Sequence, residues 1–65
     1  MPFIQVTMME GRTVDQKHEL MQRLTDAVVE SVGSDPSRVR VAIYEVTPDD
    51  WAVGGEAMSK IQGRQ

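Results

Sequence analysis

The sequence predicts an α/β (α+β) fold: a β-α-β unit with parallel strands, one long helix and a C-terminal hairpin, completed by association of several copies. Three observations predict it. Residues 2–9 alternate with a period of two. Residues 14–32 repeat apolar side chains at helical spacing between a start signal and a stop signal. Residues 39–46 alternate again and lead into a Gly-Gly turn. A strand–helix–strand crossover within one sheet makes its strands parallel and the crossover right-handed.

The first strand is Pro2-Phe3-Ile4-Gln5-Val6-Thr7-Met8-Met9. Ile4, Val6 and Met8 fall on one face, and Phe3, Gln5, Thr7 and Met9 on the other. The second face is only half polar, so the strand is expected between a helix and another subunit. Glu10-Gly11-Arg12 breaks it. Thr13-x-x-Gln16 reads as a capping box, in which each residue satisfies a free backbone N–H of the other. The helix is expected over 14–32, with Leu20, Met21, Leu24, Ala27, Val28 and Val32 as its apolar stripe. Lys17, His18, Glu19, Arg23, Asp26 and Glu30 are expected to face water. Gly33 suits the helix C-terminus.

Ser34-Asp35-Pro36-Ser37 reads as a turn, capped by Ser34 or Asp35, with Pro36 at a first helical position. The second strand, 39–46, places Val39, Val41 and Ile43 on one face and Arg40, Ala42, Tyr44 and Val46 on the other. Pro48-Asp49-Asp50 stops it. Trp51-Ala52-Val53-Gly54-Gly55-Glu56 carries the turn signal of a small hairpin. The polar tail from Lys60 is expected to fray.

Size sets the next constraint. Residues 1–65 are expected to form a single domain. A chain this short buries only about 60% of its unfolded surface, and one core of this size supplies no more than about 3–5 kcal/mol. There is no cysteine and one histidine, His18, so disulfides, thiolate metal sites and histidine-rich metal sites are excluded. Subunit association is the remaining source of stability. A net charge of −3 argues against a nucleic-acid partner held by a basic face. No apolar run could span a membrane, and no signal peptide opens the chain. A cytoplasmic protein is expected.

Pro2 is the candidate for chemistry; taken alone it reads more plainly as a terminal proline. A small residue at position two allows removal of Met1, and Pro2 then supplies a secondary amine. That amine is both base and nucleophile, and the strand behind it holds it rigidly.

In order along the chain stand Pro2, the strand ending Met9-Glu10-Gly11-Arg12, a helix of about five turns, Val39-Arg40-Val41, and Trp51-Ala52-Val53-Gly54-Gly55-Glu56. Together they resemble the 4-oxalocrotonate tautomerase family over nearly the whole chain. The resemblance implies a tautomerase/MIF-like fold, no cofactor and no metal. It implies a homo-oligomer, a hexamer built as a trimer of dimers. It also implies that Pro2 is the catalytic base. The base moves a proton between the 2-hydroxy group of a dienol, such as 2-hydroxymuconate, and a carbon further along the conjugated chain. Arg12 and Arg40 match the arginines that bind the substrate's carboxylate and 2-oxo group, drawn from different subunits. Trp51 stands where relatives often carry phenylalanine, as an apolar wall. Arg38 stands where relatives often carry a small polar residue, and adds a third cation.

The chemistry agrees with the residues. A general base works best with a pKa near the operating pH, and a free α-amino group titrates at about 7.7–8.0. An apolar wall and neighbouring cations both lower it. A guanidinium also matches a carboxylate bidentately. Singly, these residues read more plainly as structure: Arg12 as a solvated loop cation, Trp51 as packing. Only the combination points to a site. Two other readings stand beside it. One is dehalogenation or hydration of a 3-haloacrylate, which needs a separate carboxylate to activate water; Val53 offers none in the hairpin. The other is a non-catalytic oligomeric binding module, which needs no free amine.

Overall fold

Strand β1 (Phe3–Met9) leads into helix α1 (Val14–Val32), a 3-10 turn at Pro36–Arg38 and strand β2 (Arg40–Val46). A second 3-10 turn at Pro48–Asp50 follows, then the short strands β3 (Ala52–Val53) and β4 (Glu56–Ala57) and helix α2 (Met58–Gln62). The computed structural model describes residues 2–63. The expected β-α-β unit and C-terminal hairpin are both present.

β1 and β2 pair in parallel, from Phe3 opposite Arg40 to Met9 opposite Val46. The ladder runs one bond further at each end. The Arg40 N–H donates to the Pro2 carbonyl at 3.0 Å, and the Glu10 N–H donates to the Val46 carbonyl at 2.9 Å. In this register Ile4, Val6 and Met8 share a face with Val41, Ile43 and Glu45. α1 packs back over that face, chiefly against β2.

Both ends of α1 follow from local sequence. Thr13 Oγ1 accepts from the Gln16 N–H at 3.1 Å, and Gln16 Oε1 accepts from the Thr13 N–H at 3.0 Å, which completes the capping box. At the other end Gly33 takes the left-handed conformation, φ 73°, and its N–H donates to the Val29 carbonyl at 3.0 Å.

The packed face of the helix differs from the expected stripe. Leu20, Met21, Leu24 and Val28 are half-buried as expected, but Ala27 and Val32 are exposed, and Thr25 and Val29 take their place. Thr25 Oγ1 donates back to the Met21 carbonyl at 2.8 Å, which satisfies a hydroxyl on the packed side. Lys17 does not face water. Its Nζ pairs with Glu45 on β2 at 2.8 Å, so the stem of Lys17 extends the packed stripe and its charge meets the one acid on the inner face. His18 is exposed.

The C-terminal segment corrects one expectation and bears out another. Gly54 and Gly55 both have positive φ, 60° and 86°, and connect the antiparallel pair Val53 and Glu56 as the predicted two-residue hairpin. The chain from Lys60 does not fray at once, because Met58–Gln62 is helical. Met58 and Ile61, three apart, are half-buried, and α2 packs on the turn at Pro48–Asp50. Arg64 and Gln65, the end of that tail, lie outside the described residues.

No described residue is fully buried. The sheet face opposite α1 is uncovered within the chain and exposes Phe3 and Tyr44.

Candidate active site

Pro2 heads the parallel pair. Proline lacks an N–H and is tolerated at the first position of a strand, where the ladder does not require one. Its carbonyl still accepts from Arg40, so the residue is half-buried and tied to the start of β2.

The segment before β2 shapes that end. Asp35 Oδ1 accepts from the Ser37 N–H at 3.0 Å and from the Ser37 hydroxyl at 2.9 Å. These two bonds, the backbone one foremost, hold the Asp35 carboxyl below its ordinary range. The Ser37 carbonyl in turn accepts from Arg40 Nη1 at 2.9 Å. The 3-10 turn thus fixes one nitrogen of the Arg40 guanidinium and leaves its other donors exposed. Arg38 closes the same turn and is exposed.

Arg12 and Trp51 lie at the other end. Arg12 follows the last ladder bond of β1 and donates through Nη1 to the Met9 carbonyl at 3.3 Å. Trp51 follows β2 after the turn at Pro48–Asp50. It is half-buried, and its carbonyl accepts the Met58 N–H at 2.6 Å. Strands of seven residues separate the two ends by about 20 Å at about 3.3 Å per residue.

The chain therefore brings together Pro2 and Arg40, with Arg38 beside them, and separately leads Arg12 and Trp51 off the far end of the strand pair. It does not unite the four predicted residues. What sequence reasoning missed is the positioning chain Asp35–Ser37–Arg40. Its signal was present: an Asp-Pro-Ser turn whose last carbonyl lies three residues before an arginine. A shallow hollow on α1, bounded by Gln16, Glu19, Leu20 and Arg23, involves none of these residues. Among the described residues no three acidic or histidine side chains gather as a metal site, and no helix is long and apolar enough to cross a membrane.

The tautomerase enzyme family model matches residues 2–61. The chain is 39% identical over 62 residues to a 2-hydroxymuconate tautomerase of Bacillus subtilis, covering 95% of this chain and 100% of that one. Its fold superposes with a TM-score of 0.95 on a 4-oxalocrotonate tautomerase isozyme of Methylibium petroleiphilum, at 34% identity, covering 98% and 100% of the two chains. It superposes with a TM-score of 0.89 on a heterohexameric 4-oxalocrotonate tautomerase of Chloroflexus aurantiacus, at 38% identity, covering 94% and 98%. A match from Pro2 through α2, in sequence and in backbone alike, makes this chain a member of the tautomerase family of enzymes.

Proposed function

We propose that the protein is a cofactor-independent keto–enol tautomerase whose base is the secondary amine of Pro2, freed by removal of Met1. Met1 itself lies outside the described residues. The substrate is a small unsaturated acid of the 2-hydroxymuconate type. The observation that supports this best is the 3.0 Å bond from the Arg40 N–H to the Pro2 carbonyl. It seats the amine at a rigid strand end beside a cation that is itself held by Ser37.

The Pro2 nitrogen takes the proton of the dienol's 2-hydroxy group. The electron pair moves along the conjugated chain, and the protonated amine returns the proton to a carbon further along. The product is an α,β-unsaturated 2-oxo acid with no net change in atoms. Arg40 and Arg12 bind carboxylate and stabilise the charge that builds on the 2-oxygen. Trp51 excludes water and favours the neutral amine. Because Arg12 and Trp51 leave the far end of the strand pair, a complete site takes its Pro2 end from one subunit and its Arg12–Trp51 end from another. A homo-oligomer, most simply a hexamer, supplies that arrangement.

The test is a spectrophotometric assay of 2-hydroxymuconate ketonisation on protein whose intact mass has been measured. Active protein should lack Met1. Full activity in material that retains Met1 would exclude Pro2 as the base, since its nitrogen would then be an amide.

A further inference from the structure

We infer that Arg38 is a specificity-determining residue that selects dicarboxylate over monocarboxylate substrates at the Pro2 end of the site. The inference rests on the reading of the site given above.

Four observations carry it. Arg38 closes the 3-10 turn that grips Arg40 and stands two residues before it. Val39 between them is extended, φ −82° and ψ 130°, and half-buried, while Arg38 and Arg40 on either side of it are both exposed. The Arg38 guanidinium is exposed and has no hydrogen-bond or ion-pair partner among the described residues. Asp35, the acid closest in sequence, is committed to the Ser37 N–H and hydroxyl. In a chain of net charge −3, the Pro2 end thus carries two guanidinium groups, neither of them ion-paired with a carboxylate among the described residues.

Charge matching then sets the ligand class. A dicarboxylate dienol presents two anionic groups and develops further negative charge on its 2-oxygen during the reaction. Arg12 and Arg40 supply two guanidinium groups for three demands. Arg38 supplies the third, as a fork that meets a carboxylate bidentately. A monocarboxylate substrate makes no use of it.

Two unreactive dienoates of equal chain length separate these cases: muconate, with two carboxylates, and sorbate, with one. Binding is followed by quenching of Trp51, the single tryptophan, in the wild-type oligomer, Arg38→Gln and Arg38→Lys. Wild type should bind muconate more tightly than sorbate. Arg38→Gln should weaken muconate by about tenfold, the effect of one charge-assisted hydrogen bond, and sorbate far less. Arg38→Lys should recover part of the loss, because the charge remains without the fork. Equal losses for both ligands, or no muconate binding in wild type, would overturn the inference. Arg38-dependent muconate binding in a protein that does not ketonise 2-hydroxymuconate would instead sink the proposed catalysis and leave the assignment of Arg38 standing.

Discussion

Pro2, the proposed base, and Arg40, the proposed binder, are joined by one backbone bond, yet their kinetic signatures should differ. Pro2→Ala leaves a primary amine, a poorer base in the same place, so kcat should fall with little change in KM. Arg12→Ala or Arg40→Ala removes a charge-assisted hydrogen bond worth about 1.5–3 kcal/mol, so kcat/KM on 2-hydroxymuconate should fall about 10- to 150-fold. Steady-state kinetics separate the cases: a change in KM alone means uniform binding, whereas equal falls in kcat and kcat/KM mean charge stabilised only in the transition state. Trp51→Ala should admit water and return the Pro2 amine toward its solution pKa. The acidic limb of the pH–rate profile then moves to higher pH, and an unmoved limb would remove Trp51 from the site. At this scale the sequence was informative about identities and silent about neighbours. Arg40, a cation in mid-strand, stands out in sequence, whereas Trp51 gains meaning only in combination. The turn at 34–37, with Asp35 as its cap and Pro36 at its start, is legible in sequence; that its Ser37 carbonyl holds Arg40 is a side-chain contact the residue types leave open.

Elements with local signals were legible, and those fixed by distant partners were not. The bounds of α1, Val14–Val32, match the expectation because Thr13, Gln16 and Gly33 act within a few residues of themselves. Lys17 was misplaced because periodicity classes a side chain by its own polarity, while its partner Glu45 lies 28 residues away. The chain from Lys60 reads as a polar tail because the apolar anchors of α2, Met58 and Ile61, straddle that point and pack on a turn about ten residues earlier in the chain. Two measurements test these elements. Thr13→Ala should destabilise the protein by about 1 kcal/mol, seen in chemical denaturation, by removing one half of the capping box. Asp35→Ala should destabilise in a pH-dependent way. The folded-state pKa of Asp35 lies below the ordinary 3.8, so its contribution is complete above that value and is lost as pH falls through the lowered one. The gap between wild type and variant should therefore be widest near neutral pH and close in strong acid; a gap independent of pH would show that the Ser37 bonds do not act through the charge.

The whole molecule is elongated, 46 × 24 × 15 Å with a radius of gyration of 15.2 Å, where a compact chain of this length would have about 11 Å. It exposes 4915 Å², against about 4,200 Å² for a compact monomer of its mass. A half-core this open, with Phe3 and Tyr44 bare on the sheet, accords with the assembly anticipated from size alone. The proposed division of the site was partly legible in the sequence: the resemblance implied arginines from different subunits, and Pro2 and Arg12 stand at the two ends of one strand. That division has a distinctive consequence. Pro2→Ala subunits keep a sound Arg12–Trp51 end, and Arg12→Ala subunits keep a sound Pro2 end. Unfolded together in equal amounts and refolded, they should form mixed oligomers in which about a quarter of the sites combine both sound ends, since a head-to-tail contact draws each end independently. Activity should rise to about that fraction of wild type, well above either variant alone, and the rise should require refolding rather than simple mixing. If each chain built its own complete site, the refolded mixture would show only the mean of the two variants. Sedimentation of the same mixture as an oligomer would then confine the failure to the shared site and not to assembly.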